Sequence, residues 1–311
     1  MPAPMMSPPP LLSVVVPTHD HGDLLAAALD SLAAQVDPPP FEVIVVDDGS
    51  TDDTAAVLER WVRGHPRFPL RVIHQPNGGV NDARNRGVLA SHGATIVLLD
   101  ADERAPSDHL RRIGDHLDDD PRLAGVGGPA RGVDTAHLRT CGRCVIGDAT
   151  VTTDADGMTG RLLGGNMAVR RSLFTAVGMF DPDLSGRGDE VEWFERAQRR
   201  FRYDPTLVVA HTRADTTVRT LVATAVRQGR SIPTAARRMG RPWRPSPIRF
   251  GRAVGHAVRR RCVHGLVLAA REVGATGRWV SEWSRAQPSR RGPSRAPGET
   301  DGAAGPGPSA R

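Results

Sequence analysis

The sequence FEVIVVDDGS, from Phe41 to Ser50, is the clearest indication of the fold. It begins as a run of apolar, mostly β-branched residues, which is typical of a strand buried on both faces of a parallel sheet. It then changes abruptly to two adjacent aspartates followed by glycine and serine. The stretch predicts a buried strand over Phe41–Val46 that ends in a polar turn.

The surrounding sequence repeats this unit. Further apolar runs predict strands at residues 11–16, 70–74 and 95–99, and apolar side chains at helical spacing predict helices at residues 23–34, 54–62 and 82–91. Such an alternation implies right-handed crossovers, and therefore an α/β fold with a doubly wound, mostly parallel sheet. Ligands of these sheets bind at the carboxyl ends of the strands.

Acidic residues follow two of the predicted strands. Asp100 and Asp102 stand two residues apart at a strand end, so both carboxylates face one spot and can hold Mg²⁺ or Mn²⁺ through oxygen atoms. Taken alone, this pattern more often marks a solvated turn or a helix cap. The sequence therefore makes a metal site one of several explanations for the pair.

Asp47 and Asp48 form the second acidic pair. Adjacent carboxylates repel each other, and a base or ribose that presents N–H or O–H donors relieves part of that cost. Ser50 with Asp53 three residues later fits a capping box at the start of the next helix. The capping pattern leaves Asp47 and Asp48 unexplained, which keeps a ligand role open for them.

Composition limits the class of protein. The chain has 311 residues, of which 39% are hydrophobic, enough for an ordinary core. Three cysteines give no disulfide framework, and the apolar runs are far shorter than the roughly 20 residues of a membrane-spanning helix. We therefore expect a cytoplasmic protein. All 41 basic residues are arginine, which genome base composition explains as well as any function does.

Charge is distributed unevenly along the chain. Residues 1–211 carry 21 Arg against 30 Asp and Glu, a balance of −9, whereas residues 212–311 carry 20 Arg against 5 acids, a balance of +15. An acidic first part and a basic last third suggest two separate tasks, one of them involving an anionic partner.

Four segments, in this order, resemble family 2 glycosyltransferases of the GT-A fold: Val14–Thr18, Val45–Asp52, Asn77–Asn85 and Leu98–Asp102. The resemblance covers residues 11–211, about two-thirds of the chain. It implies a Rossmann-like GT-A domain that uses a nucleoside-diphosphate sugar as donor.

The resemblance also implies roles for particular residues. It assigns the nucleoside pocket to Pro17, Thr18, Asp47 and Asp48, and the vicinity of the nucleotide to Arg84. It assigns ribose and the metal–diphosphate to Asp100 and Asp102, with His211 completing the coordination of Mn²⁺ or Mg²⁺; a lone histidine can equally be structural. It places Gly164, Gly165 and Asn166 beside donor and acceptor, although a Gly-Gly pair also fits an ordinary turn. His19 and His21 receive no role.

The expected catalytic base lies in the Asp189–Glu190 pair. The family normally has Glu-Asp there, so the order is reversed in this chain, and Glu190 occupies the aspartate's place. One carboxylate must accept the proton of the acceptor hydroxyl as its oxygen attacks the sugar. We expect Glu190 to do so, with Asp189 as the second candidate. Asp189 and Glu192 also fit a capping pattern.

We divide the chain into a disordered N-terminus (1–10), a GT-A catalytic domain (11–211), a basic helical extension (212–286) and a disordered tail (287–311). The extension is expected to contain helices near residues 217–228 and 250–283. Apolar residues recur there at four-residue steps while arginines crowd other faces. Such a helix fits an anionic membrane surface, or equally a helix packed on the catalytic domain with a solvated basic face.

The sequence as a whole predicts an inverting, divalent-metal-dependent glycosyltransferase. Its partners would be a nucleoside-diphosphate sugar and a hydroxyl acceptor, lipid-linked or glycan, in cell-envelope polysaccharide, glycolipid or secondary-metabolite glycosylation at the inner face of the cell membrane. A catalytically impaired sugar-nucleotide-binding or membrane-surface scaffold is the alternative. Nucleic-acid binding is disfavoured, because aromatic residues are sparse in the basic third.

Overall fold

The computed structural model describes residues 11–132, 151–184, 189–212, 217–241 and 243–286. Its strands are β1 (Leu12–Thr18), β2 (Phe41–Asp48), β3 (Leu70–Gln75), β4 (Thr95–Leu99), β5 (Glu103–Arg104), β6 (Gly125–Gly127), β7 (Ala130–Gly132), β8 (Met158–Thr159), β9 (Asn166–Arg170), β10 (Phe201–Tyr203) and β11 (Val209–His211). Its helices are α1 (Gly22–Ala33), α2 (Thr54–Gly64), α3 (Val80–Ala90), α4 (His109–Asp119), α5 (Arg171–Val177), α6 (Asp189–Ala197), α7 (Val218–Gly229), α8 (Ile232–Arg238), α9 (Pro247–Arg260) and α10 (Val263–Ala286).

An eight-stranded sheet in the order β3-β2-β1-β4-β9-β6-β10-β8 lies at the centre of the molecule. Strands β1 to β4 are parallel to one another, with helices between them, and β9 lies antiparallel between β4 and β6. The predicted α/β class with a mostly parallel sheet is confirmed. The register pairs Thr18 with Asp47, so the ends of β1 and β2 lie side by side.

Burial on both faces explains the continuous apolar sequence of the central strands. All seven residues of β1 are buried. Helix α3 packs on this strand at Gly87, where a Cβ would overlap Cγ1 of Val15. Only glycine allows so close an approach. This contact fixes the position of α3, whose side chains reach the candidate site.

A small second sheet extends the carboxyl edge. It has the order β5-β11-β7 and pairs His211 with Glu103. Its hydrogen bonds bring the end of β11 beside the acidic residues that follow β4. Strands β5, β7, β8, β9 and β10 were not predicted from the sequence.

Two local predictions are wrong. A single helix over residues 250–283 is replaced by α9 and α10, because Arg261 adopts a left-handed conformation with φ 45°. The Ser50–Asp53 capping box does not form: α2 begins after Asp53, and Oδ1 of Asp52 instead accepts the N–H of Thr54 at 3.0 Å.

The C-terminal helices form a layer of their own. Helices α7 and α10 pack closely at Gly229 and Gly274, where a Cβ would overlap backbone atoms of the other helix. Helix α8 contacts the segment between α5 and α6 through Arg238, whose Nε lies 3.0 Å from Oδ2 of Asp181. No helix in the described ranges is both long and apolar enough to cross a bilayer.

Some predictions concern residues that the structure does not describe. The predicted disordered segments at residues 1–10 and 287–311 lie outside the described residues. The same holds for the side chain of Asp189, although its backbone begins α6.

Candidate active site

A cavity of about 280 Å³ opens at the carboxyl ends of β1, β2 and β4. Parallel topology places the ends of these strands at one edge of the sheet, so residues far apart in sequence meet there. The cavity brings together most of the predicted donor and metal residues. Its lining includes Pro17, Thr18, Asp48, Asp100, Asp102 and His211.

The end of β1 lines this cavity with Thr18, whose hydroxyl oxygen is itself buried. Thr18 is 3% exposed, and its Oγ1 has no hydrogen-bond partner in the structure. A buried hydroxyl without a partner costs free energy. His19 and His21 also line the wall. Nδ1 of His19 lies 2.9 Å from the carbonyl oxygen of Asp48.

Asp48 organises the start of α3 from the end of β2. Its Oδ1 accepts the N–H of Gly78 and its Oδ2 accepts the N–H of Gly79, each at 2.8 Å. Negative charge at a helix N-terminus is favoured by the helix dipole. The carboxylate therefore holds the turn before α3 while it lines the cavity.

Asp47 is turned away from the cavity. Its Oδ1 accepts the N–H of Ser50 at 3.0 Å, and its Oδ2 lies 2.9 Å from Nδ1 of His74. These hydrogen bonds lower the pKa of Asp47 against the opposing effect of burial, which is the largest single influence. These hydrogen bonds explain how Asp47 can stand next to Asp48 without a ligand of its own. The role of Asp47 in binding the nucleoside stays a prediction.

Arg84 links α3 to the end of β4. It is 5% exposed, and its Nη2 lies 3.0 Å from Oδ1 of Asp100. A Cβ on Gly164 would lie 2.9 Å from that same Nη2, so the predicted glycine loop passes directly over the guanidinium. The structure thus brings Arg84, Asp100 and Gly164 into contact.

Glu103 is a site residue that sequence reasoning missed. It is 3% exposed and lies beneath Gly165, where a Cβ would fall 2.5 Å from Oε2 of Glu103 and 2.7 Å from Oδ2 of Asp100. Burial raises the pKa of Glu103 well above its usual range, and the charges of Asp100 and Asp102 raise it further. Three acids therefore share one region of the site.

Asp102 and His211 form a pair from distant parts of the chain. Nε2 of His211 lies 3.0 Å from Oδ2 of Asp102, and both side chains are largely buried. A carboxylate oxygen and an imidazole nitrogen suit Mn²⁺, and Mg²⁺ is usually held by one or two carboxylates with phosphate and water. The pair fits such a cation.

This pair does not make a complete metal cage. Among the described residues, no group of three or more His, Cys, Asp or Glu side chains is arranged to hold a metal ion. Asp100 lies nearby but is paired with Arg84. A bound cation would need further oxygen ligands from a diphosphate or from water, which is the usual case for nucleotide-dependent metal sites.

Two asparagines on α3 hold the segment that leads to the predicted base. Nδ2 of Asn81 donates to the carbonyls of Asp181 at 2.9 Å and Leu184 at 2.8 Å. Asn85 both donates to the carbonyl of Phe180 at 2.8 Å and accepts its N–H at 3.0 Å. Positions 81, 84 and 85 share one helical face, so α3 connects the donor cavity to this segment.

The predicted base lies at the start of α6. Glu190 is the second residue of this helix and is partly buried, and Glu192 pairs with Arg196 at 2.7 Å. The segment Phe180–Leu184, held by α3, lies a few residues before this position.

Asn166 does not face the cavity. Its Nδ2 donates to the carbonyls of Pro129 at 3.1 Å and Leu207 at 2.8 Å, and the residue begins β9. Its side chain therefore fastens two chain segments together. Its predicted contact with donor or acceptor remains a prediction.

Residues 13–178 match the model of glycosyl transferase family 2. The chain is 35% identical over 104 residues to the uncharacterized glycosyltransferase EpsJ of Bacillus subtilis (strain 168), covering 33% of this chain and 29% of that protein. It is 33% identical over 125 residues to chondroitin synthase of Escherichia coli, covering 40% and 18%. The matched segments thus span less than a third of either relative.

Solved structures of glycosyltransferases share the fold. The mannosyltransferase PcManGT from Pyrobaculum calidifontis, in complex with GDP-Man and Mn²⁺, matches with a TM-score of 0.57 at 22% identity, covering 92% of this chain and 78% of that one. S. aureus TarS 1-349 in complex with UDP-GlcNAc matches with a TM-score of 0.54 at 17% identity, covering 88% and 91%. Because the family model covers more than half of the chain, the protein belongs to glycosyltransferase family 2 and has the GT-A fold.

Proposed function

We propose that this protein transfers a sugar from a nucleoside diphosphate to an acceptor hydroxyl, with the help of a divalent metal and with inversion at the anomeric carbon. The observation that carries the proposal is the single cavity in which Thr18, Asp48 and the Asp102–His211 pair converge. Family membership supports the same class of reaction.

The donor would lie across the strand ends. Pro17, Thr18 and the carboxylate of Asp48 would contact the nucleoside, and Asp100 would contact the ribose. Arg84 would lie near the diphosphate and oppose its charge. The relative PcManGT was solved with GDP-Man and TarS with UDP-GlcNAc, which supports a nucleotide sugar as donor.

Asp102 and His211 would hold the metal, with Asp100 beside them. When bound, Mn²⁺ or Mg²⁺ supplies positive charge that neutralises the leaving diphosphate. The relative solved with Mn²⁺ supports a metal of this kind. The cavity is a better place for a metal–nucleotide complex than for a bare phosphate, because three carboxylates, those of Asp48, Asp100 and Asp102, line it.

Glu190 would act as the base, with Asp189 as the second candidate. It would accept the proton of the acceptor hydroxyl while that oxygen forms a bond to the anomeric carbon. The bond from this carbon to the diphosphate oxygen breaks in the same displacement, and the electron pair leaves with the nucleoside diphosphate. One displacement from the opposite face inverts the centre.

The second candidate function keeps donor binding and drops catalysis. The reversed Asp189–Glu190 order motivates a sugar-nucleotide-binding scaffold. Glu190→Gln separates the two functions in cells that lack the native gene. The transferase proposal requires a large loss of glycosylation with nucleotide binding retained, whereas unchanged cellular function would support the scaffold.

The acceptor is proposed only as a class. A glycan hydroxyl or a lipid-linked hydroxyl fits an open site of this kind. The names of similar proteins include a polysaccharide synthase and the validoxylamine A glucosyltransferase of Streptomyces hygroscopicus subsp. limoneus, which is 35% identical over 124 residues, 39% of this chain and 25% of that protein. Comparison of glycans, glycolipids and small alcohols as acceptors with one labelled donor tests this part.

A further inference from the structure

Helices α9 and α10 form an antiparallel hairpin. The left-handed Arg261 reverses the chain between them, and Nε of Arg249 lies 3.0 Å from Oε1 of Glu272 near the other end. The helices approach closely at Gly265, where a Cβ would overlap the backbone of Ala257. The hairpin is therefore a packed unit with two defined faces.

One face of the hairpin is apolar and exposed. On α9 it consists of Phe250, Val254 and Val258, four residues apart, and on α10 of Leu266, Val273 and Val280, seven residues apart. Each spacing places its residues in one line along a helix. Their exposed fractions run from 37% for Val254 to 70% for Val258, so no described part of the chain covers them.

The two lines lie on the same side of the hairpin. Val254 and Val258 each follow a buried contact residue, Ala253 or Ala257, by one position, and Leu266 likewise follows Gly265. One position turns a helix by about 100° in the same sense along its own axis. The two helices run antiparallel, so in each of them the residue one position after a contact residue points to the same side of the hairpin. The result is one continuous apolar surface.

The surroundings of this surface are strongly basic. The hairpin, residues 247–286, contains eight arginines and two acids, Glu272 and Glu282. Arg259, Arg260 and Arg261 are exposed at the tip of the hairpin, directly after Val258, and none forms an ion pair with a described residue. Long arginine side chains can reach past neighbouring apolar groups to phosphates.

An aromatic cavity lies beside the other end of α9. It has a volume of about 790 Å³ and is lined by Trp243 and Trp279 together with prolines and Arg244. The guanidinium of Arg249 lies 5.2 Å from the ring centroid of Trp243. Tryptophan is enriched where a protein meets lipid headgroups, and arginine is attracted to anionic lipid.

We propose that the apolar face of the α9–α10 hairpin docks on an anionic lipid bilayer, with the arginines at its tip and flanks contacting lipid phosphates. Exposed valines and leucine would enter the boundary between headgroups and acyl chains. Each arginine near the surface adds attraction to anionic lipid.

Other occupants fit the surface less well. Residues 287–311 contain no large apolar side chain that could cover it. A second copy would place like-charged arginine clusters together, and a nucleic acid would leave the apolar lines exposed. The charge and the apolar face together favour lipid.

The test is co-sedimentation of the full-length protein with vesicles made of equal parts phosphatidylcholine and phosphatidylglycerol, compared with pure phosphatidylcholine. We expect binding to the anionic vesicles that weakens as salt is raised. Val258→Asp should lower the partition coefficient at least about tenfold. Leu89→Asp, on the exposed side of α3, is the matched control, because Leu89 is 68% exposed and the charge change is the same.

A second variant keeps the test decisive if Val258→Asp disturbs folding. Arg259→Gln with Arg260→Gln should weaken binding to anionic vesicles while the melting temperature stays unchanged. The proposal is overturned by equal sedimentation with both lipids, by equal effects of Val258→Asp and Leu89→Asp, or by a dimer that Val258→Asp dissociates. Salt-sensitive binding to oligonucleotides without vesicle binding would also overturn it. No sugar nucleotide is needed, so the outcome is independent of the proposed reaction.

Discussion

Nε2 of His211, the last residue of β11, lies 3.0 Å from Oδ2 of Asp102, just after β4. The small sheet that pairs β11 with β5 holds the two side chains together. If they bind the metal, His211→Ala should lower Mn²⁺-dependent activity by about 10- to 100-fold, the range found when groups that support a metal site are removed. Higher Mn²⁺ should restore part of the loss. The measurement is activity against Mn²⁺ concentration, and an unchanged curve would leave His211 a structural residue.

Gly165 covers the acidic cluster. A Cβ there would come within 2.7 Å of Oδ2 of Asp100 and even closer to Glu103, so Gly165→Ala must displace these carboxylates. We expect nucleotide affinity to fall by at least about tenfold, equivalent to about 1.4 kcal/mol. Gly160→Ala is the matched control, because nothing lies within 4 Å of its Cβ position. Titration calorimetry with nucleotide and Mn²⁺ measures both, and equal affinities would contradict the arrangement.

Asn81 tests the role of α3 as a connector. Its side chain is 1% exposed and donates to two backbone carbonyls before the predicted base. Asn81→Ala removes a donor from both carbonyls. The carbonyl of Asp181 still accepts the N–H of Leu184 at 3.1 Å, whereas the buried carbonyl of Leu184 loses the Asn81 donor, at a cost of about 1–3 kcal/mol. We expect kcat to fall more than donor affinity, because the segment near the base is loosened while the cavity is intact.

The control for Asn81→Ala is a variant that loses a similar amount of stability at a position outside the cavity. Ser13→Ala removes hydrogen bonds to Glu42 and Gly93 at the amino end of β1, the opposite end of that strand from the cavity. If this variant, at a similar melting temperature, lowers kcat as much as Asn81→Ala does, the effect of Asn81 is general destabilisation and the connector role is wrong.

The buried His109 makes stability fall in acid. Burial, aided by the charge of Arg112, lowers the pKa of His109 from 6.5 to about 4 in the folded protein. Between these values the unfolded chain binds more protons, so the free energy of unfolding decreases as pH falls from about 6.5 to about 4, by up to about 3 kcal/mol. Denaturant titrations across this range should show a shallower pH dependence in His109→Phe than in the wild type. Equal slopes would exclude this origin.

The sequence predicted the parts of the molecule whose physics is local. Continuous apolar runs identified β1 to β4, and the acids after them had the i, i+2 spacing that points two side chains one way. Strand β9 was missed because its start at Asn166 follows two glycines, which favour a turn in isolation; pairing with β4 and β6 decides its structure. The break between α9 and α10 was not predicted, because neither glycine nor proline stands at Arg261.

The missed site residues depend on long-range contacts. Asn81 and Asn85 meet partners about a hundred residues later in the chain, and no spacing rule foretells such a contact. Glu103 stands directly after the aspartate pair, yet only the fold shows that it is buried beneath Gly165. Its residue type was a signal, because Glu103 is a third acid directly after Asp100 and Asp102 and had no assigned role.

A metal–nucleotide site at Asp102 and His211 is tested most directly by thermal unfolding. The melting temperatures of the wild type and of Asp102→Ala are measured with UDP or GDP, each with and without Mn²⁺. A ligand that binds only the folded state raises its stability. We expect one nucleotide to raise the melting temperature of the wild type when Mn²⁺ is present, and Asp102→Ala to lose this increase. No increase with either nucleotide, or the same increase in Asp102→Ala, would contradict a metal–nucleotide site at Asp102 and His211.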